Sequence, residues 1–156
     1  MKKLLIPIFA ATALSASADE AADKAKLIET GKASFATCMA CHGADGTGLP
    51  VGAAKMAPSL AGSEIVTGEP GALALAILKG IKKDPTNTQI LGIMAPLGAA
   101  LDDEKLAGVM TYVRNSFGNT ASVVTAEDAA KFREQFKDIN APVPRADLAK
   151  TAAEKK

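Results

Sequence analysis

The stretch TCMACHGADGTG, residues 37–48, contains both cysteines and the only histidine of this 156-residue chain. Cys38, Cys41 and His42 fall within five residues, and glycines follow at positions 43, 46 and 48. Two thiols and an imidazole at this spacing are candidates for thiol chemistry, metal binding or cofactor attachment. The glycines allow the backbone to turn sharply directly after the cluster.

Three kinds of site use a cysteine pair of this kind. A thiol–disulfide oxidoreductase carries it beside a βαβ unit, but the sequence has no strand pattern to build one. A structural zinc site needs four ligands, whereas the whole chain has three cysteine and histidine ligands. Covalent haem attachment uses all three residues: the thiols of Cys38 and Cys41 form thioethers with the haem vinyl groups, and His42 binds the iron. We therefore predict one covalently bound haem c.

The composition agrees with a large apolar cofactor. Hydrophobic residues make up 48% of the chain, but aromatic residues only 4%, and tryptophan is absent. Much of the apolar content is alanine, which buries little surface per residue. A haem would supply the core volume that these side chains do not.

The N-terminus resembles a secretory signal. Two lysines at positions 2 and 3 precede an apolar run over residues 4–14 and the small residues Ala16-Ser17-Ala18. This pattern predicts a signal peptide over residues 1–18, cleaved before Asp19, and a periplasmic location. The alternative is an uncleaved membrane anchor, for which the apolar run is short.

The charge balance excludes some partners. Cleavage would remove two of the 18 basic residues and none of the 17 acidic ones, which leaves a formal net charge of about −1. Such a chain lacks the basic surface that nucleic-acid binding requires. It also lacks a basic amphipathic segment, so we expect neither nucleic-acid binding nor stable membrane insertion.

Hydrophobic periodicity predicts an all-α protein. The expected helices cover residues 21–36, 70–81, 102–117 and 125–137, with Pro70 at the first position of the second helix and Asp102 and Thr125 as N-caps of the last two. Residues 19–137 are interpreted as one haem domain. Residues 138–156 lack aromatic residues and are expected to form a flexible tail.

A second axial ligand would decide what a haem iron can do, because a filled position favours electron transfer and an open one favours catalysis or ligand sensing. With no second histidine, methionine is the leading candidate. Met39 lies between the cysteines, and Met110 belongs to the apolar stripe of a helix. Met56 and Met94 lie in loops, both before Ala-Pro, and the longer connection from His42 to Met94 favours Met94.

Five segments make the sequence resemble a class I c-type cytochrome of the small monohaem periplasmic type. They are GKASF (31–35), CMACH (38–42), APSLAGS (57–63), IMAPLG (93–98) and DDEKLAGVMTYVRNSFGN (102–119). The resemblance implies a cytochrome c fold, with three core helices around one haem and an additional C-terminal helix.

The resemblance also assigns roles to single residues. It implies that Gly31, Phe35 and Tyr112 form the crossing of the first and last core helices. It implies a hydrogen bond from the His42 ring to the Pro58 carbonyl, and Met94 as the distal iron ligand.

The function that these observations predict is one-electron transfer between periplasmic redox proteins, such as a dehydrogenase, a reductase or an oxidase. No catalytic residues are expected in such a carrier. The c-type cytochrome maturation machinery would be needed to attach the haem. The alternatives are a haem protein with an open distal site, acting as an enzyme or sensor, and more remotely a thiol–disulfide oxidoreductase.

Overall fold

Helices form most of the regular secondary structure in the computed structural model, which describes residues 12–155, with side chains from residue 20 onward. The elements are α1 Thr12–Ser34, α2 Met39–His42, β1 Pro50–Val51, β2 Ala54–Lys55, α3 Glu64–Thr67, α4 Pro70–Lys79, α5 Asp103–Arg114, α6 Ala126–Gln135 and α7 Leu148–Glu154, with short 3-10 turns at Phe35–Thr37 and Arg145–Asp147. The strands β1 and β2 form a single antiparallel pair. The predicted all-α class is confirmed.

The N-cap residues act where the sequence predicts them. The Asp102 side chain accepts a hydrogen bond from the backbone N–H of Lys105 at the start of α5. Thr125 and Asp128 form a reciprocal capping box at the start of α6. Such contacts satisfy backbone donors that have no partner inside the helix. Helix α4 begins at Pro70 but ends at Lys79, two residues early, because Gly80 adopts a φ of 80°.

Helices α1 and α5 cross at two glycines. A Cβ atom on Gly31 would lie 2.0 Å from the Gly108 carbonyl oxygen and 2.6 Å from Cβ of Tyr112. The ring of Phe35 lies 5.4 Å from that of Tyr112 and 5.5 Å from that of Phe117. The helix contact implied by the resemblance is confirmed, and Gly108 and Phe117 complete it.

Replacing Gly31 by alanine is therefore expected to lower the free energy of unfolding by about 1–3 kcal/mol, the usual range for overpacking, despite the better helix propensity of alanine. Thermal denaturation followed by circular dichroism measures the effect. Gly71→Ala in α4 is the matched control, because its new Cβ would meet no atom closer than 3.5 Å. Equal midpoints for the two variants would contradict the close helix approach.

The C-terminal segment differs from the predicted flexible tail. Leu148 and Ala152 are buried, with 0% and 5% of their surface exposed. Helix α7 packs on α4, and the Gln135 side chain donates a hydrogen bond of 2.8 Å to the Ala152 carbonyl oxygen. The prediction of a flexible tail relied on the polar composition of the segment. It did not weigh Leu148 and Ala152, which are four residues apart and therefore share one face of a short helix.

The predicted signal peptide is only partly covered by the structure. Its residues 1–11 lie outside the described residues, and α1 already begins at Thr12. Between residues 12 and 155, none of the helices has both the length and the apolar character needed to cross a bilayer.

Candidate functional site

A cavity of about 410 Å³ lies beside the cysteine–histidine cluster. Its walls are largely apolar, and their side chains come from the 3-10 turn after α1, from α4 and α5 and from the loops between them: Phe35, Leu73, Ile77, Ile81, Val109 and Val113. Pockets for cofactors and drug-sized ligands are typically about 300–1,000 Å³ and mostly apolar. The cavity has the size and the lining of a cofactor site.

The turn α2, together with its N-cap residue Cys38, places the three residues of the cluster at this cavity. Cys38, Cys41 and His42 all line it. Residues three or four apart share one face of a helix, and the backbone N–H of His42 donates a hydrogen bond of 2.9 Å to the Cys38 carbonyl oxygen. Gly43, with a φ of 72°, ends the turn. Both thiols are free and half-buried, so they can react with a molecule in the cavity.

The ring of His42 is oriented by the backbone. Its Nδ1 atom lies 3.3 Å from the Pro58 carbonyl oxygen, as the resemblance implies. Gly48 makes this possible: a Cβ there would lie 2.0 Å from the Ala57 carbonyl oxygen, so only glycine lets the two chain segments come this close. Donation from Nδ1 leaves the lone pair on Nε2 free for a metal.

Burial and charge keep the imidazole neutral. Burial lowers the pKa of His42, the hydrogen bond to Pro58 opposes this shift, and the positive charge of Arg145 adds to the lowering. Since the folded-state pKa lies below the ordinary value, the ring is unprotonated at neutral pH. Neutral imidazole is the form that binds metals.

The pKa of the Cys38 thiol is shifted in the opposite direction from that of a redox-active thiol. Burial raises its pKa, and the neighbouring Cys41 raises it further. The nucleophilic cysteine of a thiol–disulfide oxidoreductase has a lowered pKa, so that it reacts as a thiolate. This environment does not favour a thiol–disulfide enzyme.

The four candidate methionines separate into two pairs. Met39 is 39% exposed and Met110 is fully buried in the core, and neither is among the residues that line the cavity. Met56 and Met94 both line it. The predicted residues Cys38, Cys41, His42 and Met94 thus line one cavity. Met56, the alternative ligand, lines it as well.

The loops that carry Met56 and Met94 are held by different backbone contacts. The Met56 carbonyl oxygen accepts a hydrogen bond of 2.9 Å from the N–H of Gly92, so the two loops run side by side. The Met94 carbonyl oxygen accepts one of 2.9 Å from the N–H of Ile81, just after α4. Met56 is also two residues from Pro58, which contacts His42, whereas Met94 is attached to the end of α4.

Two cationic side chains that line the cavity without a protein partner among residues 20–155 are not predicted from the sequence. Lys82 and Arg145 line the cavity in addition to the predicted residues. Arg145 comes from the C-terminal segment, which was expected to be a flexible tail. No motif marks either residue, because their position depends on long-range packing.

The donors at this cavity suit a covalently held haem. Two thiols, an imidazole and a thioether meet an apolar volume, which provides covalent attachment, axial ligands and exclusion of water. A structural metal site would need a different arrangement: among residues 12–155 no group of three histidine, cysteine, aspartate or glutamate residues is clustered to hold a metal ion.

Comparison with known proteins gives a family match over residues 28–117, to cytochrome c. The chain is 36% identical over 109 residues to the cytochrome c subunit of a quinone alcohol dehydrogenase of Gluconacetobacter polyoxogenes. It is 35% identical over 99 residues to the corresponding subunit of Gluconobacter oxydans (strain 621H), and 32% identical over 106 residues to the gluconate 2-dehydrogenase cytochrome c subunit of Pantoea cypripedii.

These alignments cover 68%, 62% and 63% of this chain but only 22%, 20% and 22% of the three relatives. The chain thus spans about a fifth of the length of the curated relatives that it matches.

Proposed function

The chain belongs to the cytochrome c family, and from this premise we propose that it is a periplasmic monohaem cytochrome that carries one electron at a time between redox proteins. The observation that carries the proposal is an apolar cavity that Cys38, Cys41, His42 and Met94 line together. Bound in this cavity, a haem supplies an iron that takes up and releases one electron.

Cys38 and Cys41 would hold the haem covalently. Each thiol would form a thioether by addition to one vinyl group, with its sulfur bonded to one carbon and its proton transferred to the neighbouring carbon, so the attachment would need no oxidant. The chain has no other cysteines, which supports one haem c per chain. His42 would bind the iron through Nε2, with its ring held by the Pro58 carbonyl.

Met94 is the proposed second iron ligand. Support comes from its position in the cavity wall and from the hydrogen bond that fixes its backbone to Ile81. Met56 follows closely after the cluster and lies two residues from Pro58, so its segment is better suited to cover the histidine side. If His42 and Met94 both bind the iron, no position would be open for a substrate, which would favour a carrier over an enzyme or sensor.

The protein groups around the site favour the reduced state. A thioether is a weak donor, and a Met/His pair raises the reduction potential of a haem. The apolar walls act in the same direction, because they disfavour the additional positive charge of the oxidised state. The hydrogen-bonded His42 ring and Met94 backbone also hold both ligands in place, so little rearrangement would accompany electron transfer.

The partners are proposed from the relatives. Those relatives are subunits of dehydrogenases, so a dehydrogenase is the proposed electron donor, and another periplasmic redox protein the acceptor. Residues 1–18 would direct export as a signal peptide. The maturation machinery for c-type cytochromes would then attach the haem, since both thiols must be kept reduced in an oxidising compartment.

The attachment is tested on the denatured protein. Protein purified from the periplasm is expected to retain haem after acid–acetone extraction, with a mass equal to that of the mature chain plus one haem. Co-expression of a c-type maturation system should increase the yield of this species strongly. Haem that is extracted from the chain, or a mass with two haems, would contradict the proposal.

A further inference from the structure

The C-terminal segment reaches the candidate haem cavity, although it lies outside the residues 28–117 that match the family. The N–H of Val143 donates a hydrogen bond of 3.2 Å to the Gly80 carbonyl oxygen, and the N–H of Lys82 donates one of 3.0 Å to the Val143 carbonyl oxygen. Val143 is buried, with 7% of its surface exposed. The segment is therefore anchored directly after α4.

This anchor is continuous with the loop of Met94. Ile81 pairs with Met94 on one side and with Val143 on the other. Arg145 follows Val143 by two residues and lines the cavity, and its positive charge contributes to the lowered pKa of His42. The packing of this segment thus places the positively charged side chain of Arg145 at the cavity.

Among the side chains that the structure describes, Arg145 is the arginine without a protein acceptor. Of the three arginines in the chain, Arg114 donates to the carbonyl oxygens of Val66 and Gly68 at 2.7 and 2.8 Å. Arg133 donates to carbonyl oxygens as well and pairs with Asp103. For Arg145, no hydrogen bond and no ion pair is formed with residues 20–155.

Arg145 is exposed to solvent overall, and only the part of its side chain that faces the cavity is desolvated, with no acceptor there among residues 20–155. Partial burial lowers the pKa of Arg145, although the group remains charged at all relevant pH values. Its N–H donors form a planar fork that matches a carboxylate. Lys82 is a second cation that lines the cavity without a described side-chain partner. The neighbouring charged residues have partners. Lys83 donates to the carbonyl oxygens of Ile90 and Leu91, and the Asp84 carboxylate accepts from Thr86.

We propose that Arg145 binds a propionate carboxylate of the haem, so that the C-terminal segment supplies the anion-binding group of the cofactor site. The inference rests on the proposed function, because it requires haem in this cavity. A haem carries two propionates, and a carboxylate is the acceptor that the Arg145 guanidinium lacks. Lys82, Lys83 and Asp84 also line the cavity, so its lining carries net positive charge together with Arg145.

The test compares Arg145→Gln with Lys150→Gln in the full-length holoprotein. Both variants lose one positive charge, but Lys150 points to solvent and pairs with Glu154 at 3.8 Å. The reduction potential is measured by spectroelectrochemical titration between about pH 5 and pH 8, a range in which a carboxylate freed from its cation can begin to titrate. In the unsubstituted protein, the pH titration of the haem propionate NMR signals gives an independent readout.

In the unsubstituted protein, Arg145 lowers the pKa of the bound carboxylate, so it stays ionised and the potential is nearly constant with pH. Arg145→Gln is expected to lower the potential at pH 8, because a positive charge near the iron is lost. It should also make the potential rise as the pH falls, because the carboxylate pKa increases and protonation favours the reduced state. Lys150→Gln and Arg145→Lys should leave the pH profile flat.

The proposal is overturned if Arg145→Gln keeps both the potential and the flat profile of Lys150→Gln. It is also overturned if both propionates of the unsubstituted protein titrate as free carboxylates do, a result that needs no variant to fold. Failure of the proposed function would look different, because the unsubstituted protein would then carry no covalent haem.

Discussion

Replacing Met94 by alanine is expected to let carbon monoxide bind the reduced holoprotein, which should not bind it readily when Met94 is present. The side chain lines the cavity, and its removal would free the proposed sixth coordination position. Water could then reach the iron and stabilise the oxidised state, and the weak thioether donor that favours the reduced state would be lost. The potential should fall by on the order of 100 mV, within the range of about 0.8 V over which axial ligands act.

Met56→Ala is the matched control for this experiment, because Met56 lines the same cavity and also precedes Ala-Pro. Its backbone hydrogen bond with Gly92 does not depend on the side chain. We expect this variant to exclude carbon monoxide and to lose only packing energy. Gas binding by Met56→Ala but not by Met94→Ala would assign the ligand to Met56. Ready binding by the unsubstituted protein would mean an open distal site and would contradict the carrier function.

The double substitution Cys38→Ser, Cys41→Ser is expected to abolish the cooperative folding transition, because it prevents covalent retention of the haem. Without haem, the apolar walls of the cavity of about 410 Å³ would be exposed to water, and the apolar burial that they contribute to the fold would be lost. Globular domains have a total stability of about 5–15 kcal/mol. The aromatic-poor core cannot offset such a loss, so the chain should be unfolded or molten.

Met39→Ala is the control for this second experiment. Met39 lies between the two cysteines, is 39% exposed and is not among the residues that line the cavity. This variant should keep its haem and a cooperative thermal transition, measured by circular dichroism. A double-serine chain without haem that still melted cooperatively near the midpoint of the unsubstituted protein would refute the structural role of the haem.

The local features of this fold were determined by the sequence itself. Asp102 and Thr125 cap their helices as predicted, since capping uses backbone groups within three residues of the cap. The placement of Cys38, Cys41 and His42 on one helical turn likewise follows from their spacing. The start of α4 at Pro70 was also predicted, because proline is favoured at the first helical position.

The features that join distant segments were decided only by the tertiary structure. A resemblance pointed to Gly31, but its partner Gly108 depends on how α1 and α5 cross. The C-terminal segment has a polar composition, yet Leu148 is buried and Arg145 reaches the cavity. The adjacency of the two methionine loops is also non-local, since it rests on a hydrogen bond between Gly92 and Met56. Contacts between residues three or four apart follow from their spacing in the sequence. Contacts between distant segments depend instead on which helix surfaces pack against each other.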